Sequence, residues 1–371
     1  MKTAEILVIG GGIGGLTSAI ALRERGFSVE VIERDPDWSV YGVGIIQQAN
    51  VVRAVADLGI LEDYLAAGVE FDAVEIFAPD GTKVARIPSP RLAEGYPPCV
   101  GIGRPALHKV LGDKTLAAGA RVHLGITADS IEDDGTKVHV RFSDGREGDY
   151  DLVIGADGVY SQTRSMILPD AEKPEYTGQA VWRYNFPRPE GMDSLQVFNG
   201  PTGIGLVPIS ADLMYMYVTT PEPGNPRYPR EGLAAAMRGK LEHAAPAIRA
   251  LAGQITDDDG VVYRPLEGML VEGPWHRGRV VLLGDAVHAT TPHLGQGAGM
   301  AIEDSLVLAD ELARHDDIEE AFAAYRARRF DRCAYIVRSS LAICDGQLGK
   351  GPPVDNAKAT ADMFAVIAQP I

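Results

Sequence analysis

Apolar positions in this chain follow two alternating rhythms. Ile6, Leu7, Val8 and Ile9 form an unbroken run, as a strand buried on both faces requires. Leu16, Ala19, Ile20 and Leu22 then recur at helical spacing until Gly26, and Ser28–Ile32 reads as a second strand closing on Glu33. Helices are predicted over Ala49–Leu58 and, after Gly59, over Leu61–Ala67. Ala73–Phe77 and Lys83–Ile87 flank Ala78-Pro79-Asp80-Gly81, a hairpin signal. A helix opens at Arg104, with Leu107, Val110 and Leu111 on one face. Strands are expected at Ala120–Leu124 and Tyr150–Ile154, with a hairpin of Ser130–Glu132 and Lys137–Phe142 between them.

From about Pro169 to Pro274 the pattern changes. Strand-like Gln179–Phe186, Leu195–Phe198, Gly203–Pro208 and Leu213–Thr220 alternate with proline-rich turns, interrupted by one predicted helix over Arg230–Ala252. A buried strand returns at Arg279–Leu283. Long helices are expected over Gly297–Ala313 and Ile318–Leu341, and a short one near Ala357–Ile367. The pattern predicts an α/β chain: a discontinuous Rossmann-like domain (1–72, 96–168 and 275–345), an inserted β-sheet substrate domain (73–95 and 169–274), C-terminal helices and a tail (346–371).

The first strand-helix-strand unit carries its own chemistry. Gly10, Gly12 and Gly15 stand in the spacing G-x-G-x-x-G between strand and helix, the dinucleotide-binding fingerprint in its proper context. Gly10 permits the tight turn, Gly12 lets a pyrophosphate approach the backbone, and Gly15 lets helix and strand pack closely. The helix N-terminus offers unpaired N–H groups and partial positive charge. Glu33 can accept hydrogen bonds from ribose hydroxyls. This unit alone suits FAD and a nicotinamide dinucleotide equally.

Composition narrows the partners. The 371 residues suffice for one large domain with insertions or two domains sharing a site. The formal net charge of −16 argues against nucleic acid and anionic membranes. Cys99, Cys333 and Cys344 are scattered, which excludes a CxxC metal or redox pair; no metal site is expected. No run approaches the ~20 apolar residues of a membrane span, and a strand begins within a few residues of Met1. A reduced, cytoplasmic compartment is expected.

Several further residues are candidates. The glycines of Val40–Asn50, Gly44 among them, suggest backbone passing close to a ligand. Gln47 and Gln48 either reach substrate or flavin or are polar residues at a helix start. Arg104 at a helix start opposes the helix dipole, so it either meets a negative partner or is solvated. Tyr215 and Tyr217 share one strand face, turned to a site or to solvent. Arg183 can bind a carboxylate bidentately or form a surface ion pair.

Three separated motifs stand together: GGGIGG at Gly10–Gly15, GADGVYSQTR at Gly155–Arg164 and GDAVHATTPHLGQG at Gly284–Gly297. The chain thereby resembles, over nearly its whole length, the class A flavoprotein aromatic monooxygenases of the para-hydroxybenzoate and salicylate hydroxylase type. The resemblance implies FAD as cofactor, with NADPH or NADH a transient co-substrate at the surface. The FAD site would draw on Gly10, Gly12, Gly14, Gly15, Glu33, Arg34, Gly44, Arg104, Ala128, Asp157, Asp285, Pro292, Gly295, Gly297 and Ala298. Asp285 would meet the ribityl chain, Pro292–Gly297 would cradle the flavin ring, and Ala128 would touch adenine through its backbone.

Further expectations follow from the likeness. A phenolic or N-heteroaromatic substrate would be hydroxylated with O₂ through a flavin C4a-hydroperoxide. His293, Tyr215 and Tyr217 are the candidates to activate it, and Gln47, Arg183, Tyr184 and His293 the candidates to bind it. His288 is expected to pack structurally. The single glycine fingerprint and the missing CxxxxC pair argue against a disulfide-reductase type of flavoenzyme. An oxygenase or oxidoreductase of a non-aromatic substrate, or a non-catalytic binding protein, are the alternatives on this fold. A monomer or homodimer is expected.

Overall fold

The computed structural model describes residues 4–92, 94–200 and 202–371. Its first layer is a six-stranded sheet in the order His276–Arg277, Val280–Leu282, Leu152–Gly155, Glu5–Ile9, Ser28–Glu33, Arg121–Leu124. All neighbours are parallel except the first pair. Ile6–Ile9 are at most 4% exposed, which explains their unbroken apolar run. The Ile13–Glu24 helix leaves the first strand and packs beside the Gly297–Arg314 helix. That contact is polar as well as apolar: Thr17, Ser18 and Ser305 share hydroxyl hydrogen bonds at 2.8 and 2.9 Å.

Close packing at the first turn depends on two glycines. A Cβ on Gly15 would lie 1.8 Å from the Gly10 carbonyl oxygen, and one on Gly10 would lie 2.4 Å from the Ala156 oxygen. Gly10 also has φ +113°, a region that favours glycine.

The second large sheet has seven strands in the order Val262–Gly268, Glu175–Pro187, Leu213–Pro221, Gly203–Pro208, Leu195–Phe198, Ala73–Phe77, Lys83–Pro88. The predicted hairpin at 73–88 therefore joins the later strands as one edge. Trp182, Phe186, Met214, Met216 and Val218 bury one face against two helices. The other face carries Val181, Arg183, Tyr215, Tyr217 and Thr219.

The differences from expectation have local causes. The helix expected over Arg230–Ala252 is two helices, Leu233–Lys240 and Pro246–Ala252, because Pro246 cannot continue a helix but starts one well. Tyr150 ends a separate antiparallel strand, Glu147–Tyr150, ahead of Leu152–Gly155. Glycines obscured a small sheet of Gly44–Gln48, Cys99–Gly103 and Gly68–Phe71. Gly101 lies against the seven-stranded sheet, where a Cβ would stand 1.8 Å from the Pro208 oxygen. The C-terminal helices run over Ile318–Gln347 and Asn356–Ala368. Among the described residues, no helix is long and apolar enough to cross a membrane.

Candidate active site

One cavity of about 1560 Å³ is shared by the two large sheets. Drug-sized ligand pockets measure roughly 300–1,000 Å³, so this space can take two ligands at once. Gly12, Gly14, Glu33 and Arg34 line it from the first strand-helix-strand unit; Arg104 and Asp285 line it too. Pro292, His293, Gly295, Gly297 and Ala298 come from the third motif, and Arg183, Tyr215 and Tyr217 from the seven-stranded sheet.

The glycine loop is fixed from three sides. Glu33 accepts the Gly11 N–H at 2.7 Å and the Asp35 N–H at 2.9 Å. The Gly11 carbonyl accepts from the Trp38 indole at 2.9 Å and bonds the His108 ring at 3.0 Å. Gly12 is left open to the cavity: an added Cβ would find no atom within 4 Å. The Glu33 carboxylate offers about four acceptor positions, so two remain for ribose hydroxyls.

Two opposite charges face the cavity without protein partners. Among the described residues, the side chains of Arg104 and Asp285 make no hydrogen bond and no ion pair. Burial pushes the Arg104 pKa down and the Asp285 pKa up; His288 and Arg104 oppose the rise at Asp285. Arg104 is half-buried and Asp285 exposed within the open cavity, so a cation and an anion free of protein partners are both presented to a ligand. Gly284, at φ +61°, makes the turn that presents Asp285. Its N–H is held by Asp304 at 3.0 Å, and Asp304 also bonds His288 at 2.6 Å and Arg329 at 2.7 Å. His288 and Arg329 lower the Asp304 pKa to about 2 despite burial. His288, fully buried, thus braces the turn.

The flavin-ring expectation falls on a firmly held turn. Pro292–Leu294 is a short 3-10 helix, and Gly295 takes φ +66° before the helix at Gly297. Gln48 donates to the Leu294 carbonyl at 3.2 Å and accepts from Gln296. Gln296 exchanges bonds with Asn50 at 3.0 and 3.1 Å, and Asn50 donates to Glu303 at 3.1 Å. Gly299 does not face the cavity; its open side meets Val51 and Gln296.

His293 has both ring nitrogens engaged. Nδ1 bonds Thr291 Oγ1 at 2.9 Å and Nε2 bonds Gln347 Oε1 at 3.1 Å. An amide oxygen only accepts, so Nε2 carries the proton and Nδ1 accepts from Thr291. Burial lowers the His293 pKa, opposed by the Gln347 bond. Gln347 also accepts from Gln179 at 2.9 Å.

On the sheet face, Arg183 sits directly across from Tyr217 in register. No protein acceptor among the described residues binds Arg183. Burial and the nearby Arg104 lower its pKa to about 10. Burial raises Tyr215 and Tyr217; Arg183 and then Arg104 oppose the rise at Tyr215. The two tyrosine rings lie 6.3 Å apart. Arg264 stacks on Tyr41 at 4.1 Å, and both line the cavity.

Four expected residues take other places, and a fifth lines the cavity with its open side filled. Gln47 is 1% exposed and turned away, bonding the Ile46 carbonyl at 3.2 Å; strand alternation gives the cavity to Ile46 and Gln48 instead. Tyr184 points to the opposite sheet face from Arg183, where it meets Phe186 and Gly260. Ala128 is buried at the start of the Ala128–Asp133 strand, opposite Phe142, and does not line the cavity. Asp157 accepts from Ser161 at 2.5 Å and from Thr163 at 2.9 and 3.0 Å, securing the Gln162–Ile167 helix; its neighbours Ala156 and Gly158 line the cavity instead. Gly44 lines the cavity, but its open side is filled by Tyr215 and Ile209.

Other residues carried no usable signal. Gln347 comes from the end of a helix far from any motif, and the tail helix adds Ala357, Thr360, Ala361 and Phe364 to the lining. Trp38 and His108 reach Gly11 from unrelated loops and helices.

The donor set fits FAD. The open Gly12 suits a pyrophosphate, Glu33 a ribose, Arg104 a phosphate, and Asp285 a polyol chain. The glycine-bounded turn at Pro292–Gly297 suits a flat ring.

The comparisons agree. Residues 3–340 match the FAD binding domain family. The aurachin C monooxygenase/isomerase of Stigmatella aurantiaca is 34% identical over 360 residues, covering 94% of this chain and 91% of that protein. The 3-amino-4-hydroxybenzoate 2-monooxygenase of Streptomyces cremeus is 34% identical over 356 residues, covering 93% and 88%. Klebsiella pneumoniae HpxO, solved with FAD and uric acid, is 28% identical with a TM-score of 0.83, covering 98% of this chain and 92% of that one.

Proposed function

This chain belongs to the FAD binding domain family of flavoprotein monooxygenases, and from that premise we propose how its residues divide the work on a small phenolic or N-heteroaromatic substrate. FAD is the cofactor, and when bound it would supply the redox chemistry, with NAD(P)H as reductant and O₂ as oxidant. Gly12, Glu33 and Arg34 hold its adenosine and pyrophosphate end. Arg104 neutralises phosphate, and Asp285 accepts from ribityl hydroxyls. The N-terminus of the Gly297–Arg314 helix, with Gly295 and Ala298 lining the cavity beside it, would favour negative charge on a flavin ring held there.

The substrate lies on the sheet face. Arg183 pairs with an ionised oxygen or a carboxylate of the substrate, holding it in its anionic, electron-rich form. Tyr215 and Tyr217, kept as neutral phenols by burial, donate to the same oxygen. His293, neutral and bonded on both sides, positions the turn that separates flavin from substrate rather than moving a proton. A substrate seated among these groups would exclude water from the reacting centre. Residues 1–72, 96–168 and 275–345 form the cofactor portion, and 73–95 with 169–274 the substrate portion.

The observation that carries this reading is the meeting in one cavity of the unpaired Arg104 and Asp285 with the unpaired Arg183 and the two tyrosines. The test is a screen of phenols and hydroxylated N-heteroaromatics on the FAD-loaded protein, recording NAD(P)H oxidation, product mass and peroxide together. A compound that accelerates oxidation and gains one oxygen supports it. Acceleration accompanied by peroxide alone, across the whole screen, contradicts it.

A further inference from the structure

The register of the seven-stranded sheet sorts its cavity face by polarity. One row runs Arg183, Tyr217, Gly205, Val197, Ile76 across five adjacent strands. The neighbouring row holds Tyr215 at one side and Leu195, Val74 and Ile87 at the other. The cationic and phenolic groups therefore stand at one side of the face and branched aliphatics at the other. Gly205 seats the Tyr217 ring: a Cβ there would meet the ring at 2.2 Å, so the ring lies over the glycine and the aliphatic shelf begins beyond it.

The aliphatic side belongs to the same cavity as the charged side. Val74, Ile76, Leu195 and Val197 are only partly buried, and Ile87 is 39% exposed. Phe198 and Ile204 also reach the lining. A polar, compact ring would use Arg183 and Tyr217 and leave this shelf wetted. From Gly205, beneath the Tyr217 ring, to Ile76 is two strand intervals, roughly 10 Å, room for a substituent of about six carbons or more.

We propose that the substrate is an aromatic ring bearing a long aliphatic substituent, with the ring's ionised oxygen at Arg183 and the chain lying over Val197, Ile76 and Val74. This rests on the function proposed above and adds the substrate's shape. Specificity comes from the shelf, since burying each methylene favours binding about fourfold.

The test uses the FAD-loaded protein and two homologous series, 4-alkylphenols and 2-alkyl-4-hydroxyquinolines, each with methyl, butyl, heptyl and decyl chains. Dissociation constants are read from perturbation of the flavin visible spectrum, and hydroxylated product by mass. Affinity is expected to rise about fourfold per methylene until the chain passes the sheet edge. Ile76→Trp, which fills the shelf, should weaken the heptyl compound by about tenfold or more relative to the methyl one. Val197→Ala, a milder change, should weaken the same ratio by about threefold or more. Methyl members that bind and are hydroxylated as well as heptyl members, with no chain-length dependence, overturn the inference and leave the monooxygenase reading standing. Failure of every member to perturb the flavin overturns both.

Discussion

Gly12→Ala separates cofactor binding from folding more cleanly than any other single change. Gly12 sits at the N-terminal boundary of the first helix with φ −83° and ψ −171°, extended backbone that alanine adopts without strain. No atom lies within 4 Å of the position its Cβ would take, and the residue lines the cavity. The added methyl therefore projects only into ligand space. Holding a phosphate back from the helix N-terminus forfeits a charge-assisted hydrogen bond of about 1.5–3 kcal/mol, or about 10- to 150-fold in the FAD dissociation constant. The apoprotein should change by about 1 kcal/mol or less, about 2 °C in Tm.

FAD titration by flavin fluorescence, with thermal unfolding of the apoprotein, reads both quantities. Gly15→Ala is the contrasting control. Its methyl would lie 1.8 Å from the Gly10 oxygen, so the apoprotein itself should lose several degrees. Unchanged FAD affinity in Gly12→Ala would refute the placement of the pyrophosphate at this loop.

Other substitutions probe the remaining groups. Asp285→Asn should weaken FAD by about tenfold or more without lowering apoprotein Tm, because the exposed carboxylate has no protein partner among the described residues to lose; equilibrium titration and thermal unfolding check this. Arg183→Met should raise KM for an ionised aromatic by about 10- to 100-fold with no loss of Tm, since no protein partner is abandoned; steady-state kinetics with thermal unfolding decide it. Asp304 is held near 2 by His288 and Arg329, below the ordinary carboxylate value of about 3.9. Its contribution to stability is complete above that ordinary value and is lost as pH falls toward about 2. Asp304→Asn should therefore be less stable at neutral pH, by about 3–5 kcal/mol for a buried pair broken on one side, and the gap should narrow over that acid window in unfolding curves.

Much of this arrangement was legible in the sequence because it depends on short-range pattern. The run Ile6–Ile9, the spacing of Gly10, Gly12 and Gly15, and the acid at Glu33 each encode a local backbone requirement. The turn at Gly284–Asp285 and the glycines around Pro292–Gly297 are local in the same way. Facing was legible only where one side of a strand was known: Tyr215 and Tyr217 had to share a face, but only the packed sheet shows that it faces the cavity. The same alternation removes Tyr184 and Gln47 from it. Gln347, Trp38 and the tail helix act through tertiary approach alone, and no spacing announces that. The middle motif shows the opposite limit, since the carboxylate of Asp157 is spent on Ser161 and Thr163.

The reaction proposed for this site places one atom of dioxygen on an aromatic ring held at Arg183 beside FAD. Turnover of a substrate found in the phenol and heteroaromatic screen, run under isotopically labelled dioxygen with NAD(P)H and analysed by mass spectrometry, tests it directly. One labelled oxygen is expected in the product, and none when the label is in water instead. Label arriving from water, or an oxidised product without added oxygen, would contradict it.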